Sequence, residues 1–315
     1  MTVAPGRPRT FAHPRGTWLD PSGEQIAQGA LLRRISGGKA VLLGESHTDY
    51  EIHRWQLHVA VALHALRPNI ALGFEMFPRA KQDVLDDWVA GRFSVAAFLE
   101  AVDWANGWGY DANLYLPLFH FCRQQRLKML ALNCHRALVT RVGKEGWAAI
   151  PEHERDGLTP AADATPAHRQ YLFEVTGGAG ARVQMPGSEP VMTADSPLLD
   201  RFIRAQQTWD RAFACNIARA LAEPDPPLVI GIIGRGHLDY RHGTPYQLSD
   251  LGVTDVTVLA PTFDATHDAA KIAGIADAIF RLDDVEPHAP LPPRMQRAVD
   301  ERAAQRASSA AQASS

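Results

Sequence analysis

The chain has 315 residues, 46% of them hydrophobic and 21% charged, with a net charge of −3. That length and apolar content supply one large domain with a sizeable core. The near-neutral balance, with a pI near 6.5, excludes the electrostatic footprint of a nucleic-acid or anionic-membrane binder.

Along the chain, residues 1–22 are rich in Pro, Arg and Gly and read as an irregular arm. No apolar h-region opens the sequence, and no run approaches the roughly 20 apolar residues of a membrane span, so a cytoplasmic location is the expectation. Cys122, Cys134 and Cys215 form no C-x-x-C pair and read as buried small apolar residues of a reducing compartment. The absence of C-x-x-C-H argues against covalently attached c-type haem.

Residues 23–288 read as a single α/β domain of three layers: a mostly parallel sheet, helices on both faces, and helical insertions near 80–125 and 143–215. Strands are expected at Ala40–Leu43, Ile70–Phe74, Lys128–Leu132, Leu228–Ile233 and Val256–Leu259, with a weaker one at Ala278–Phe280. Ile52, Trp55, Val59, Leu63 and Leu66 recur at helical spacing before Pro68, and Thr48 with Glu51 looks like the capping box that starts this helix. A second helix is expected over Gln206–Leu221. Thr176–Ser196, broken by Gly and Pro, reads as a mobile loop, and 289–315 as a disordered tail.

Three strands run straight into polar residues that do not belong in a core. Val41-Leu-Leu-Gly empties into Glu45, Ser46 and His47; Ile70-Ala-Leu-Gly-Phe ends on Glu75; and LVIGIIGRG leads to His237. Ligands of open α/β sheets bind outside the carboxyl ends of the strands, so Glu45, His47, Glu75 and His237 are expected to share one hollow. Two carboxylates and two imidazoles can do general acid–base work or hold a metal such as zinc or manganese. These four are therefore both the candidate catalytic residues and the candidate metal ligands. Between Val102 and Pro117 the aromatic run supplies Trp104, Trp108, Tyr110 and Tyr115 for a flat apolar ligand, with Asp103 and Asp111 at its edge; Tyr240 and Tyr246 follow the glycine–histidine turn. Helix–sheet packing explains the run equally well.

Other motifs fail. Gly234-Arg-Gly236 lacks the third glycine of a dinucleotide fingerprint, because position 239 is Asp. Gly44–Thr48 (GESHT) resembles a nucleophile elbow, but β-branched Thr48 stands where a small residue is wanted, which leaves a Ser46 nucleophile with His237 as base only as a third reading.

Taken in order, LLGESHTDYEIHRWQLHVAVALH, GFEMF, AVDWANGWGYDANLYLPLF, ALNCHRALV, RAQQTWDRAFACNIARAL and IGRGHLDYRHGTPYQL resemble the ChaN-like haem-binding proteins over about Gly38 to Leu259. That family is similar in fold to the erythromycin esterases and to the TraB/Tiki group of proposed metalloproteases. The resemblance implies haem or iron handling by a homodimer, with iron liganded by a tyrosine and by a histidine of the partner subunit. It places Glu45 and His47 on the first-strand motif, Glu75 on the second and His237 on the glycine–histidine motif. Tyr110, Tyr115 and Tyr240 are the candidate tyrosines. Trp108 would help to line the slot, and Arg235 and Arg241 would face haem propionates. The lipid-accepting cysteine and leader of such lipoproteins are not evident at the start of this sequence, and a relative without them could have turned the same rim into a hydrolase.

Overall fold

The computed structural model describes residues 10–176, 195–285, 287–297 and 299–301. Its strands are β1 (Thr10–Ala12), β2 (Trp18–Leu19), β3 (Gln25–Ile26), β4 (Ala40–Glu45), β5 (Ile70–Pro78), β6 (Lys128–Asn133), β7 (Leu228–Gly234), β8 (Val256–Thr262), β9 (Thr266–Asp268) and β10 (Ala278–Arg281). The helices are α1 (Gln28–Ser36), α2 (Tyr50–Leu66), α3 (Gln82–Val89), α4 (Val95–Ala101), α5 (Trp104–Gly107), α6 (Leu116–Gln125), α7 (Arg136–Glu145), α8 (Pro166–Val175), α9 (Pro197–Leu221), α10 (Thr244–Asp250) and α11 (Ala269–Ile272).

Eight strands form one sheet in the order β3-β2-β10-β8-β4-β7-β5-β6, parallel from β10 to β6 and antiparallel only at the β2 and β3 edge. The fold is the three-layer, mostly parallel α/β architecture expected. The strands read as continuous apolar runs because both of their faces are covered. Val41, Leu43, Leu72 and Phe74 pack with α1–α6 on one face. Their alternating neighbours Ala40, Leu42 and Ala71 pack with α7, α9, α10 and α11 on the other.

Three local expectations are corrected. Helix α2 is capped by Asp49, not by Thr48: its carboxylate accepts from the Glu51 and Ile52 amides at 3.0 and 3.2 Å. Either residue suits an N-cap, but the chain leaves β4 with room for the later one. The second long helix begins at Pro197 rather than Gln206. The arm is not wholly irregular: Trp18 and Leu19 are buried as a sheet strand, and β1 pairs with β9. Most of the expected mobile loop, 177–194, and the end of the tail, 302–315, lie outside the described residues. The nearer part of the tail is helical at 293–297 and packs over the rim.

In this order β7 lies between β4 and β5. Glu45 pairs in register with Gly234. Strand β5 shifts register between Phe74 and Pro78, an irregularity that re-aims the side chains around Glu75. The three strand ends singled out in the sequence are therefore adjacent.

Candidate functional site

Glu45, the last residue of β4, is buried and points toward the α2 and α6 face. His47 Nδ1 lies 2.6 Å from Glu45 Oε1, which also accepts from the Tyr115 hydroxyl at 2.9 Å. Gln56 Nε2 donates to Oε2 at 3.1 Å, and His53 Nδ1 lies 3.6 Å from the same oxygen. Burial alone would push the Glu45 carboxyl up, but the imidazole of His53, the bond and charge of His47, and the Tyr115 hydroxyl hold it down at about 2. The His47 ring is raised: burial opposes its charge, but the bond to Glu45 and the charges of Glu75 and Glu45 prevail. For His53 burial prevails, and the ring is lowered.

A second pair stands across Glu75. His237 Nδ1 is 2.9 Å from Asp210 Oδ1, which also accepts from the Thr244 hydroxyl at 3.0 Å. His237 Nε2 lies 3.8 Å from Glu75 Oε1. Burial disfavours its charged form, yet Asp210 and then Glu75 outweigh it and raise the ring to about 9. Glu75 sits between the pairs, its Oε2 accepting from the Gly234 amide at 2.5 Å. Gly234 is glycine for a steric reason: a Cβ there would lie 3.0 Å from His47 Cε1 and 3.3 Å from Glu75 Oε2.

His47, Glu75 and His237 line a cavity of about 430 Å³. Glu45 does not line it and acts from behind His47. The cavity walls include Trp108, Tyr110 and Trp209, and the Trp108 ring meets His47 edge-on at 4.8 Å. Tyr110 is buried, lies 5.1 Å from the His47 ring between centroids, and donates its hydroxyl to Met295 Sδ at 3.1 Å. The cavity is closed on one side by the C-terminal segment, where Arg294 donates to the carbonyls of Asn106, Gly107 and Trp108.

The structure thus brings Glu45, His47, Glu75 and His237 into one centre, with Trp108 and Tyr110 beside it. It does not bring the other expected ligand-binding residues there. Tyr115 is in the core, its hydroxyl spent on Glu45. Tyr240 donates to Lys271 O and lines a different depression with Tyr171 and His242. Arg235 is paired with Asp239 and Arg241 with Asp277, so neither guanidinium is offered to the cavity. Ser46 is exposed and does not line the cavity. Among the described residues, no three or more His, Cys, Asp and Glu side chains are arranged to hold a metal ion.

Sequence reasoning missed Asp210, Gln56 and His53. A signal existed for two of them. Asp210 falls on the apolar stripe of α9 with Ile203, Phe213 and Ile217, and Gln56 on that of α2 with Ile52, Val59 and Leu63. A polar residue on a buried stripe needs a partner.

A parallel sheet with a polar, histidine-bearing cavity at its carboxyl rim defines a ligand-binding or catalytic α/β protein of the open-sheet kind. The particular family is shown by sequence: the model described as "Haem-binding uptake, Tiki superfamily, ChaN" matches residues 31–248, and the chain belongs to that family. Among solved structures, a ChaN of Campylobacter jejuni, described as binding haem cofacially, is similar over 84% of this chain and 95% of that one, at 18% identity and a TM-score of 0.64. An erythromycin esterase, a mutant EreC in its open conformation, aligns over 78% of this chain and 76% of its own at 10% identity, with a TM-score of 0.44. RRSP, a toxin effector domain of Vibrio vulnificus, aligns over 82% of this chain and 38% of its own at 14% identity and a TM-score of 0.44. No curated protein sequence matches the chain. No helix among the described residues is long and apolar enough to cross a membrane.

Proposed function

We propose that the chain binds haem in the cavity at the carboxyl rim, with Tyr110 and His47 as the residues offered to the iron. Bound haem would supply a Lewis-acidic, redox-active iron; the protein supplies the slot and the axial donors. One observation carries the reading. Of the three candidate tyrosines only Tyr110 lines the cavity, and its hydroxyl is held by nothing stronger than a thioether. A phenol so weakly committed loses little by turning to a metal. With Nδ1–H given to Glu45, His47 keeps Nε2 as a lone-pair donor, the arrangement that fixes ligating histidines in metalloproteins. His237 is likewise raised, but its Nε2 faces a second carboxylate, Glu75 Oε1, at 3.8 Å. Held protonated by Asp210, it is a hydrogen-bond donor and not an iron ligand. Trp108, Trp209, Met76 and Met295 give the slot its apolar walls.

Haemin titration tests this. Binding should shift the Soret band, and Tyr110→Phe should change the shifted spectrum and weaken binding by about tenfold or more. An unshifted Soret band, or a spectrum indifferent to Tyr110→Phe and His47→Ala, overturns the proposal. A homodimer in which the second copy contributes a histidine belongs to the same reading, and sedimentation with and without haemin measures it.

A hydrolase is the second reading. It is favoured by the two carboxylate–imidazole pairs facing Glu75, which set a protonated imidazole opposite a carboxylate, the pairing of an acid–base centre. It draws no support from a zinc or manganese cluster. Hydrolysis of an ester or amide that disappears in both Glu75→Gln and Asp210→Asn would establish it.

A further inference from the structure

Away from the rim cavity, Tyr240 lines a depression of about 510 Å³ between α8 and the turn that follows β7. The two hollows share no wall residue. Three aromatic rings meet in the depression at mutual tilts. Tyr171 stands 5.6 Å from Tyr240 at 68° and 5.8 Å from His242 at 54°, and Tyr240 lies 5.8 Å from His242. The buried His168 ring backs His242, stacked on it at 5.5 Å. Tyr240 is held here against backbone preference: with Arg241 it makes two successive non-glycine residues in the left-handed region, at φ 57° and 59°. The Tyr240 amide donates to Ile275 O, and Arg241 donates to Asp277 and Val256 O, which pins the turn. Among the described residues no lysine or arginine lines the depression, and its one carboxylate is Glu174. Both phenolic hydroxyls are committed elsewhere, Tyr240 to Lys271 O at 2.7 Å and Tyr171 to Asp239. Burial lowers the His242 imidazole, which leaves it a neutral ring.

We infer that this depression binds an alkylated ammonium group, held over the faces of Tyr171, Tyr240 and His242 with Glu174 beside it. The inference concerns a second ligand and is independent of the haem reading. A ring face carries the negative side of the aromatic quadrupole and attracts a cation within about 6 Å of its centroid. The three centroids stand closer together than that, so one compact cation reaches all of them at once. Glu174 supplies the formal counter-charge. Its carboxylate accepts from Gln170 at 2.7 Å, and its charge is felt at Tyr240. The supply of acceptors decides which kind of cation fits. A primary ammonium or a guanidinium brings three or five N–H donors that must be satisfied. With both hydroxyls spent, Glu174 and Gln170 are the side chains left to accept them. A quaternary ammonium has no N–H to satisfy, and Ala167 and Val175 offer its methyl groups apolar contact. The ligand class is therefore a small quaternary ammonium, with choline as its simplest probe.

The test titrates choline, its uncharged carbon isostere dimethylbutanol, and ethanolamine into the full chain, followed by proton–carbon NMR of the Tyr171, Tyr240 and His242 rings. Choline should bind about tenfold more tightly than either of the others. Tyr171→Leu should weaken choline by about tenfold, whereas Tyr171→Phe, which keeps the ring face, should stay within about twofold of the wild type. Glu174→Gln, an exposed change that leaves the fold intact, should weaken choline by about threefold and leave the isostere unaffected. Vesicles of phosphatidylcholine separate the two sources of the group: displacement of choline assigns it to a lipid headgroup, and no displacement to a free solute. Equal binding of choline and its isostere overturns the inference. So does choline binding indifferent to both Tyr171→Leu and Glu174→Gln, or ring signals unmoved at about 100 mM choline. Haemin spectra report on the rim cavity alone, so the two readings fail separately.

Discussion

The two carboxylate–imidazole pairs on either side of Glu75 use the same chemistry to different ends. Glu45 is sealed behind His47 and divides its charge among two imidazoles, an amide and a phenol. Asp210 gives its charge to one imidazole, helped by one hydroxyl. The first arrangement yields an anion that persists down to a pH of about 2 and orients His47. The second yields a cation, His237, that persists through neutrality. Burial is severe on both sides, so what distinguishes them is how many donors each carboxylate must satisfy.

The largest effect expected from breaking this contrast is on stability at Glu45. Glu45→Leu leaves His47, Gln56 and Tyr115 without their buried acceptor and should cost about 3–5 kcal/mol, read by chemical denaturation. An effect below about 1 kcal/mol would mean the cluster relaxes freely.

Next is the pH profile. The folded pKa of His237, about 9, lies above its ordinary 6.5. Its contribution is therefore complete below pH 6.5 and lost as the pH rises through 9. That of Glu45, about 2 against 4.5, is complete above pH 4.5 and lost as the pH falls through 2. Stability from these two groups should be flat between pH 4.5 and 6.5, with each limb falling by about 3 kcal/mol. Asp210→Asn should abolish the alkaline limb and leave the acid one, and the titration of His237 followed by NMR should move down.

Gly243→Ala sharpens the Asp210 side. A Cβ there would lie 2.5 Å from the His237 carbonyl and 2.6 Å from Asp210 Oδ1, so the pair must separate, at a cost of about 1–3 kcal/mol. The downward shift of His237 should reappear. Smallest is Tyr110→Phe, which removes only a bond to sulfur and should change stability by less than about 1 kcal/mol despite its spectral effect. Tyr240→Phe, on another surface, should leave haemin binding unchanged.

The sequence by itself determined the parallel sheet and the meeting of Glu45, His47, Glu75 and His237. Both follow from local rules: doubly covered strands read as apolar runs, and polar residues at their carboxyl ends share one rim because parallel strands point the same way. Which tyrosine faces the cavity was not legible, because Tyr110 and Tyr115 lie five residues apart in one aromatic run and only the path of the chain from α5 to α6 separates wall from core. The same holds for Asp210, brought from α9 to His237 across about 27 positions, and for the arginines. Charge alone cannot show that Arg235 and Arg241 are neutralised. Such pairings belong to residues distant in sequence, and only the packing of helices against the sheet decides them.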